Sequence, residues 1–245
     1  SGRSPEPHIH FQLQTIPTIG AQTLEYPISY FIERNGTEKK LKISEIPNEG
    51  TFISNVQVNQ LLTVGFSFLP GQKIVLKNES SGALINWEVF TDAYNRTYIY
   101  CKESNTYAYF VNDGVMLYFT DFEGDKTSLL FHFYLAAYRQ LLGYYEDIEI
   151  TDNVPLIHFN RKWIQFFQDF VAPFYLFTKA NHSSKFTYTD NVYAPQKLII
   201  KTEIEAKLIN FSFKKLQFEM ELKDQKFHRL TIHHKNKSES FINIS

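Results

Sequence analysis

"EGDKTSLLFHFYLAAYRQLLGYY", residues 123–145, is the long stretch of this chain in which strand-like alternation stops. Between Gly124 and Gly143 most positions beyond Ser128 are apolar, and His132, Arg139 and Gln140 interrupt them. Asp125 or Thr127 can cap a helix here and Gly143 can end it, so the stretch predicts a helix over 127–142. A helix that is apolar almost all round must be buried on more than one side. The flanking sequence says what buries it.

Toward the N-terminus, residues 8–122 read as strands of five to ten residues separated by turns: "HIHFQLQTI", "YPISYFIER", "TEKKLKISEI", "TFISNVQV", "LLTVGFSFL", "QKIVLKN", "ALINWEVFT", "RTYIYC", "TYAYFVN" and "VMLYFTDF". Asn35-Gly36 and Asp113-Gly114 are two-residue hairpin signals, and Pro70-Gly71 marks a further turn. Toward the C-terminus, "RKWIQFFQDFVA" (161–172) predicts a second helix, capped by Asn160, stopped before Pro173, and with Trp163, Phe166, Phe167 and Phe170 on one face. Strands return from Lys185. In "KLQFEMEL" (215–222), Leu216, Phe218, Met220 and Leu222 share one side, and Gln217, Glu219 and Glu221 the other.

These signals predict a mainly β protein of antiparallel, sandwich-like sheets, with two helices inserted between N-terminal and C-terminal strand sets. With no Pro/Gly/Ser-rich linker, residues 8–245 read as a single β-rich domain with a helical insert at 126–172. The alternative division is into 8–125 and 126–245.

At 245 residues the chain can bury a sizeable core without staples. Lys plus Arg number 25 against 26 Asp plus Glu, so no broad field steers it to nucleic acid or to an anionic membrane. The lone Cys101 excludes an intrachain disulfide and a Cys-based zinc site. No apolar run reaches the roughly 18 residues of a spanning helix, so no membrane-spanning segment is expected in this chain.

Catalytic signatures are missing: there is no Gly-X-Ser-X-Gly elbow, phosphate-binding glycine loop, His-Glu-X-X-His or dinucleotide fingerprint. Asp121, Glu123 and Asp125 resemble a fragment of a calcium loop but lack its later Glu, and His8-X-His10 has a metal-ligating spacing at the start of the chain. Neither amounts to a metal site, and no cofactor is expected. If the chain were a glycan- or lipid-acting hydrolase, Asp121, Asp125 and His132 would be its candidate catalytic groups. The 23 Phe residues also suit a carrier with an apolar cavity between sheet and helices.

Seven Asn-X-Ser/Thr glycosylation triplets begin at Asn35, Asn78, Asn95, Asn181, Asn210, Asn236 and Asn243. With 16 Asn and 33 Ser plus Thr, chance predicts about two. The reversed triplet, which no glycosylation machinery reads, occurs twice, at Thr151 and Thr189. The excess points to a secreted, lumenal or periplasmic glycoprotein.

Tyrosines supply the candidate ligand-binding surface. If Lys102 to Asn105 form a four-residue loop, Tyr100 faces Tyr107 and Tyr98 faces Tyr109. If Asp113-Gly114 is a two-residue turn, Tyr109 also faces Tyr118. All five then share one side of a meander whose other side carries Ile99, Ala108, Phe110, Leu117 and Phe119. Either the apolar helix covers the tyrosines or they form an aromatic surface for a carbohydrate or a protein partner. The expected function is that of an extracytoplasmic, non-enzymatic binding or protein-interaction domain, such as the soluble part of a membrane-anchored protein.

Overall fold

The computed structural model describes residues 12–159, 178–191, 194–208, 211–235 and 237–245. The chain forms two compact units, Ser1–Val56 and Gln57–Ser245. The first holds a two-stranded ribbon, β1 (Leu13–Gln14) with β2 (Thr23–Leu24), and a small sheet in which β3 (Ile28–Asn35) lies between β4 (Glu38–Glu45) and β5 (Phe52–Ser54). Asn35 pairs with Glu38, which places Gly36, at φ 60°, in the expected hairpin tip.

The second unit begins with α1 (Gln60–Gly65), within "LLTVGFSFL", which alternation alone had read as a strand. The helix forms because Asn59 caps it, its Oδ1 accepting from the amides of Leu61 and Leu62. It lies so close to the sheet that a Cβ on Gly65 would stand 2.2 Å from Leu222 Cδ2, so even alanine would displace that core side chain.

Twelve strands follow: β6 (Lys73–Asn78), β7 (Leu84–Thr91), β8 (Thr97–Cys101), β9 (Thr106–Asn112), β10 (Met116–Glu123), then, after α2 (Leu129–Ala136), β11 (Arg139–Leu141), β12 (Glu149–Asn153), β13 (Thr178–Thr189), β14 (Lys197–Leu208), β15 (Phe211–Lys223), β16 (Lys226–His233) and β17 (Ser238–Asn243). All join one antiparallel sheet in the order β11-β10-β9-β8-β7-β6-β17-β16-β15-β14-β13-β12. The mainly β, antiparallel class is as expected. The strands of the expected sandwich instead make one continuous ladder, curled nearly into a barrel, and strands from both sides of residue 126 belong to it.

The end strands β11 and β12 meet at a seam, where Arg139 Nε lies 2.9 Å from Asp152 Oδ2, close enough for an ion pair but not aligned as a hydrogen bond. Alternation decides which side of the sheet is core: Phe218, Met220 and Leu222 of β15, Leu198, Ile200 and Ile204 of β14, and Trp87 and Val89 of β7 all point inward.

The apolar stretch is a buried helix, as its composition requires, but a shorter one than 127–142. Ser128 caps it, its Oγ accepting from Phe131 N, while Asp125 instead turns its carboxylate to the amide and hydroxyl of Thr127. It ends at Ala136 because Arg139–Leu141 pair with Met116–Tyr118 of β10. α2 runs inside the curled sheet: the Phe133 ring lies 5.2 Å from Trp87, 5.8 Å from Phe68 and Phe119, and 4.9 Å from Phe227. The second expected helix, 161–172, lies outside the described residues. Among the described residues no helix is long and apolar enough to cross a membrane.

Candidate functional site

The tyrosine meander occupies the outer side of the sheet. Cys101 pairs with Thr106, so Lys102–Asn105 is the four-residue loop expected, and Tyr100 faces Tyr107 and Tyr98 faces Tyr109. α2 packs on the opposite side, where Ile99, Ala108, Phe110, Leu117 and Phe119 enter the core.

The second turn differs from its expectation. Asn112 Oδ1 accepts from Gly114 N, Asp113 Oδ1 accepts from Val115 N and Met116 N, and Asp113 N donates to Met116 O, which widens the turn to four residues. Tyr118 therefore faces Val111, and after a bulge at Thr120 it is Asp121 that faces Tyr109. A slip of two residues preserves the side but not the neighbour. Tyr118 is thus outside the row, with the Arg139 guanidinium 5.8 Å from its ring centre.

The other four tyrosines gain a member that the tyrosine pattern did not include. Phe90 faces Tyr98, and the ring centres lie 5.9 Å apart for Phe90–Tyr98, 5.2 Å for Tyr98–Tyr109, 5.7 Å for Tyr98–Tyr107 and 4.9 Å for Tyr100–Tyr107. Tyr98, Tyr100 and Tyr107 are half-buried, while Tyr109, 9% exposed, is the floor of the patch. Arg96 covers it, with its guanidinium carbon 4.7 Å from the Tyr109 ring centre and its Nε 2.8 Å from Asp92 Oδ2. The amide of Arg96 and its side chain hold the Asp92 carboxyl below the usual range. Burial, with Glu123 nearby, pushes the Tyr109 phenol up. The hydroxyls of Tyr100 and Tyr107 both reach Asn105 Oδ1, at 3.4 and 3.3 Å.

The three candidate catalytic groups occupy different settings. Asp121 is exposed on the outer side, Asp125 is held by Thr127, and His132 projects from α2 against Phe218, 6.1 Å between ring centres. Burial lowers the pKa of His132, and the titratable groups that act on it are His234, Lys214 and Glu239. Among the described residues no three His, Cys, Asp or Glu side chains gather as metal ligands. His8 and His10 lie outside those residues.

Two buried histidines were not singled out by their sequence context. His158 Nε2 lies 3.1 Å from the Tyr134 hydroxyl. His182 is fully buried behind the seam with neither ring nitrogen hydrogen-bonded among the described residues. Beside it the last turn of α2 is satisfied by side chains: Ala136 O accepts from Thr202 Oγ1 at 2.8 Å and from Gln140 Nε2 at 3.2 Å.

An outer groove of about 560 Å³ is lined by Glu149, Lys185, Glu203 and His233 among others. Its polar groups serve their neighbours: Glu149 accepts from Ser183, Glu203 pairs with Lys215, and His233 meets Ser238. The centre of the barrel, where an apolar cargo would sit, is filled by α2.

Of the glycosylation triplets, Asn35, Asn95 and Asn181 are exposed and Asn78 and Asn243 half-buried, while Asn210 and Asn236 lie outside the described residues. Asn78 Oδ1 accepts from the amides of Ser80 and Ser81, and Asn243 Nδ2 donates to Phe227 O. No protein-family model, no curated protein and no solved structure matches this chain.

Proposed function

We propose that this chain is a non-enzymatic binding domain that works outside the cytoplasm and engages its ligand through the outer aromatic patch of β7, β8 and β9. The observation that carries this reading is the clustering of Phe90, Tyr98, Tyr100 and Tyr107 on the wet side of a sheet whose core lies on the other side. Half-exposed rings with hydroxyl tips are the surface chemistry of binding interfaces, because each offers apolar area and a hydrogen bond at little entropic cost.

The test is calorimetric titration with a set of defined probes: neutral oligosaccharides and short Arg-Gly and Glu-Gly peptides. At least one probe binds the native chain and binds Tyr100→Ala roughly tenfold or more weakly. The melting temperature of that variant falls by only a few degrees, since one cross-strand pair contributes about 1 kcal/mol or less. No probe bound, or equal binding by the variant, would remove the patch as the site.

Placement outside the cytoplasm rests on the triplet excess and on the exposure of Asn35, Asn95 and Asn181. Passed through a eukaryotic secretory pathway, the chain is expected to gain N-glycans at these three positions. A mass unchanged by endoglycosidase would count against that compartment.

A further inference from the structure

We propose that the occupant of the aromatic patch is a basic polypeptide segment, its Arg and Lys side chains lying over the tyrosine rings and against the carboxylates of Glu88, Asp121 and Glu123. The proposal rests on the patch being the interaction surface and adds the charge of its partner.

Register places the acidic groups. Across the outer side of the sheet, one row runs Lys73, Glu88, Tyr100, Tyr107, Glu123, and the next runs Phe90, Tyr98, Tyr109, Asp121. Directly opposed residues share a side, so the first row has its two tyrosines bracketed by carboxylates and the second ends in one. Among the described residues, Glu88, Asp121 and Glu123 have no cation within ion-pair distance. Aromatic faces carry the negative side of a ring quadrupole, and carboxylates beside them add to the same potential. Among the described residues, Lys73, at the far end of its row, is the one cation within the two rows, and Arg96 lies over Tyr109 beside them.

The chain itself shows how a guanidinium sits on this surface. Arg96 lies over Tyr109, its guanidinium carbon also 5.7 Å from the Tyr94 ring centre, while Asp92 takes its Nε. Tyr107 with Glu123, and Tyr100 with Glu88, repeat the pairing of a ring with a carboxylate; among the described residues no cation lies over either ring or pairs with either carboxylate, although the charge of Arg96 acts on Glu123. Charge complementarity therefore favours a basic segment over a neutral glycan. The strand spacing suits an extended peptide, because side chains two apart along it recur at about 6.6 Å, close to the spacing of successive outward residues on a strand.

The test uses the whole chain, a short peptide of alternating Arg and Gly, the same peptide with Glu for Arg, and a neutral oligosaccharide. The Arg peptide binds with an affinity that falls as salt rises, and Glu88→Gln and Glu123→Gln each weaken it roughly tenfold while leaving the melting temperature unchanged. Both positions are on the outer side, so neither variant threatens the fold. If the carboxamide variants bind the Arg peptide as the native chain does, or the Glu peptide binds as tightly, the cationic assignment is overturned. If the oligosaccharide binds instead, with dependence on Tyr100 but not on Glu88 or Glu123, the patch remains the site and the basic partner is rejected. If no probe is sensitive to Tyr100, both the site and its partner fall.

Discussion

Ala137→Asp is expected to destabilise the fold of residues 57–245 by several kcal/mol. Ala137 is fully buried at the C-terminal end of α2, its amide donating to Phe133 O at 2.9 Å. A carboxylate placed there leaves water, faces the negative end of the helix and finds the nearby donors Thr202 Oγ1 and Gln140 Nε2 already bonded to Ala136 O. An unpaired buried charge costs about 4 kcal/mol or more, against a total stability of roughly 5–15 kcal/mol. Phe133→Ala, which leaves a cavity between Trp87 and Phe227, should cost about 3–5 kcal/mol and still fold. Near-ultraviolet circular dichroism during heating follows both variants, and a melting temperature for Ala137→Asp equal to that of the native chain would refute the enclosed helix.

Acid should begin to destabilise the protein before its carboxylates titrate. Burial, with Arg139 next in effect, holds His182 at a pKa of about 3, and burial with Lys126 holds His158 at about 4. Both lie below the ordinary 6.5, so in this window the unfolded chain binds protons that the folded chain refuses. Stability therefore falls as pH drops below 6.5 and levels off only below the folded values. His182 alone accounts for a slope that reaches roughly 1.4 kcal/mol per pH unit, or about 2 kcal/mol between pH 6.5 and 4.5, and His158 adds to this. Asp92, Asp125 and Asp190 have lowered pKa values and enter only at lower pH. Urea midpoints measured across that range should decline steeply in the native chain and less steeply in His182→Gln. A flat native profile would mean that these imidazoles are hydrated or charged.

What was legible in the sequence was local. Alternation in 215–222 places the core side of β15 correctly because a strand's period of two does not depend on what lies beside it. The same rule failed at "LLTVGFSFL", where the Asn59 cap and the absence of a side chain at Gly65 let the chain coil against Leu222. The apolar helix was overextended because composition shows that Tyr138 to Leu142 are to be buried or edge-facing, not that β10 has a free edge for Arg139–Leu141.

At the candidate site, Tyr98, Tyr100, Tyr107 and Tyr109 were found because the loop between β8 and β9 has the length its sequence suggests. The place of Tyr118 was missed because Asn112 and Asp113 bond to the turn's own backbone. Phe90, Arg96 and the bracketing carboxylates depend on the β7–β8 connection and on the bulge at Thr120. Neither shows in a pattern of hydrophobicity. Nor does alternation tell one ladder of twelve strands from two sheets face to face, since both have one wet side and one dry side.

The position of β17 sets the timing of assembly. Phe241 to Asn243 pair with Leu76 to Asn78, more than 160 residues earlier, and this strand joins the run β6–β11 to the run β12–β16. Until it arrives, the ladder exists only as two separate halves, and α2, carried by the first, has its apolar circumference uncovered on the side that β14 and β15 later enclose. Contacts between residues so distant in sequence form slowly, and unpaired edges are exposed while they wait. On a ribosome the sheet cannot be completed before Phe241 emerges, so the edges of β6 and β16 stay unpaired in the nascent chain until then.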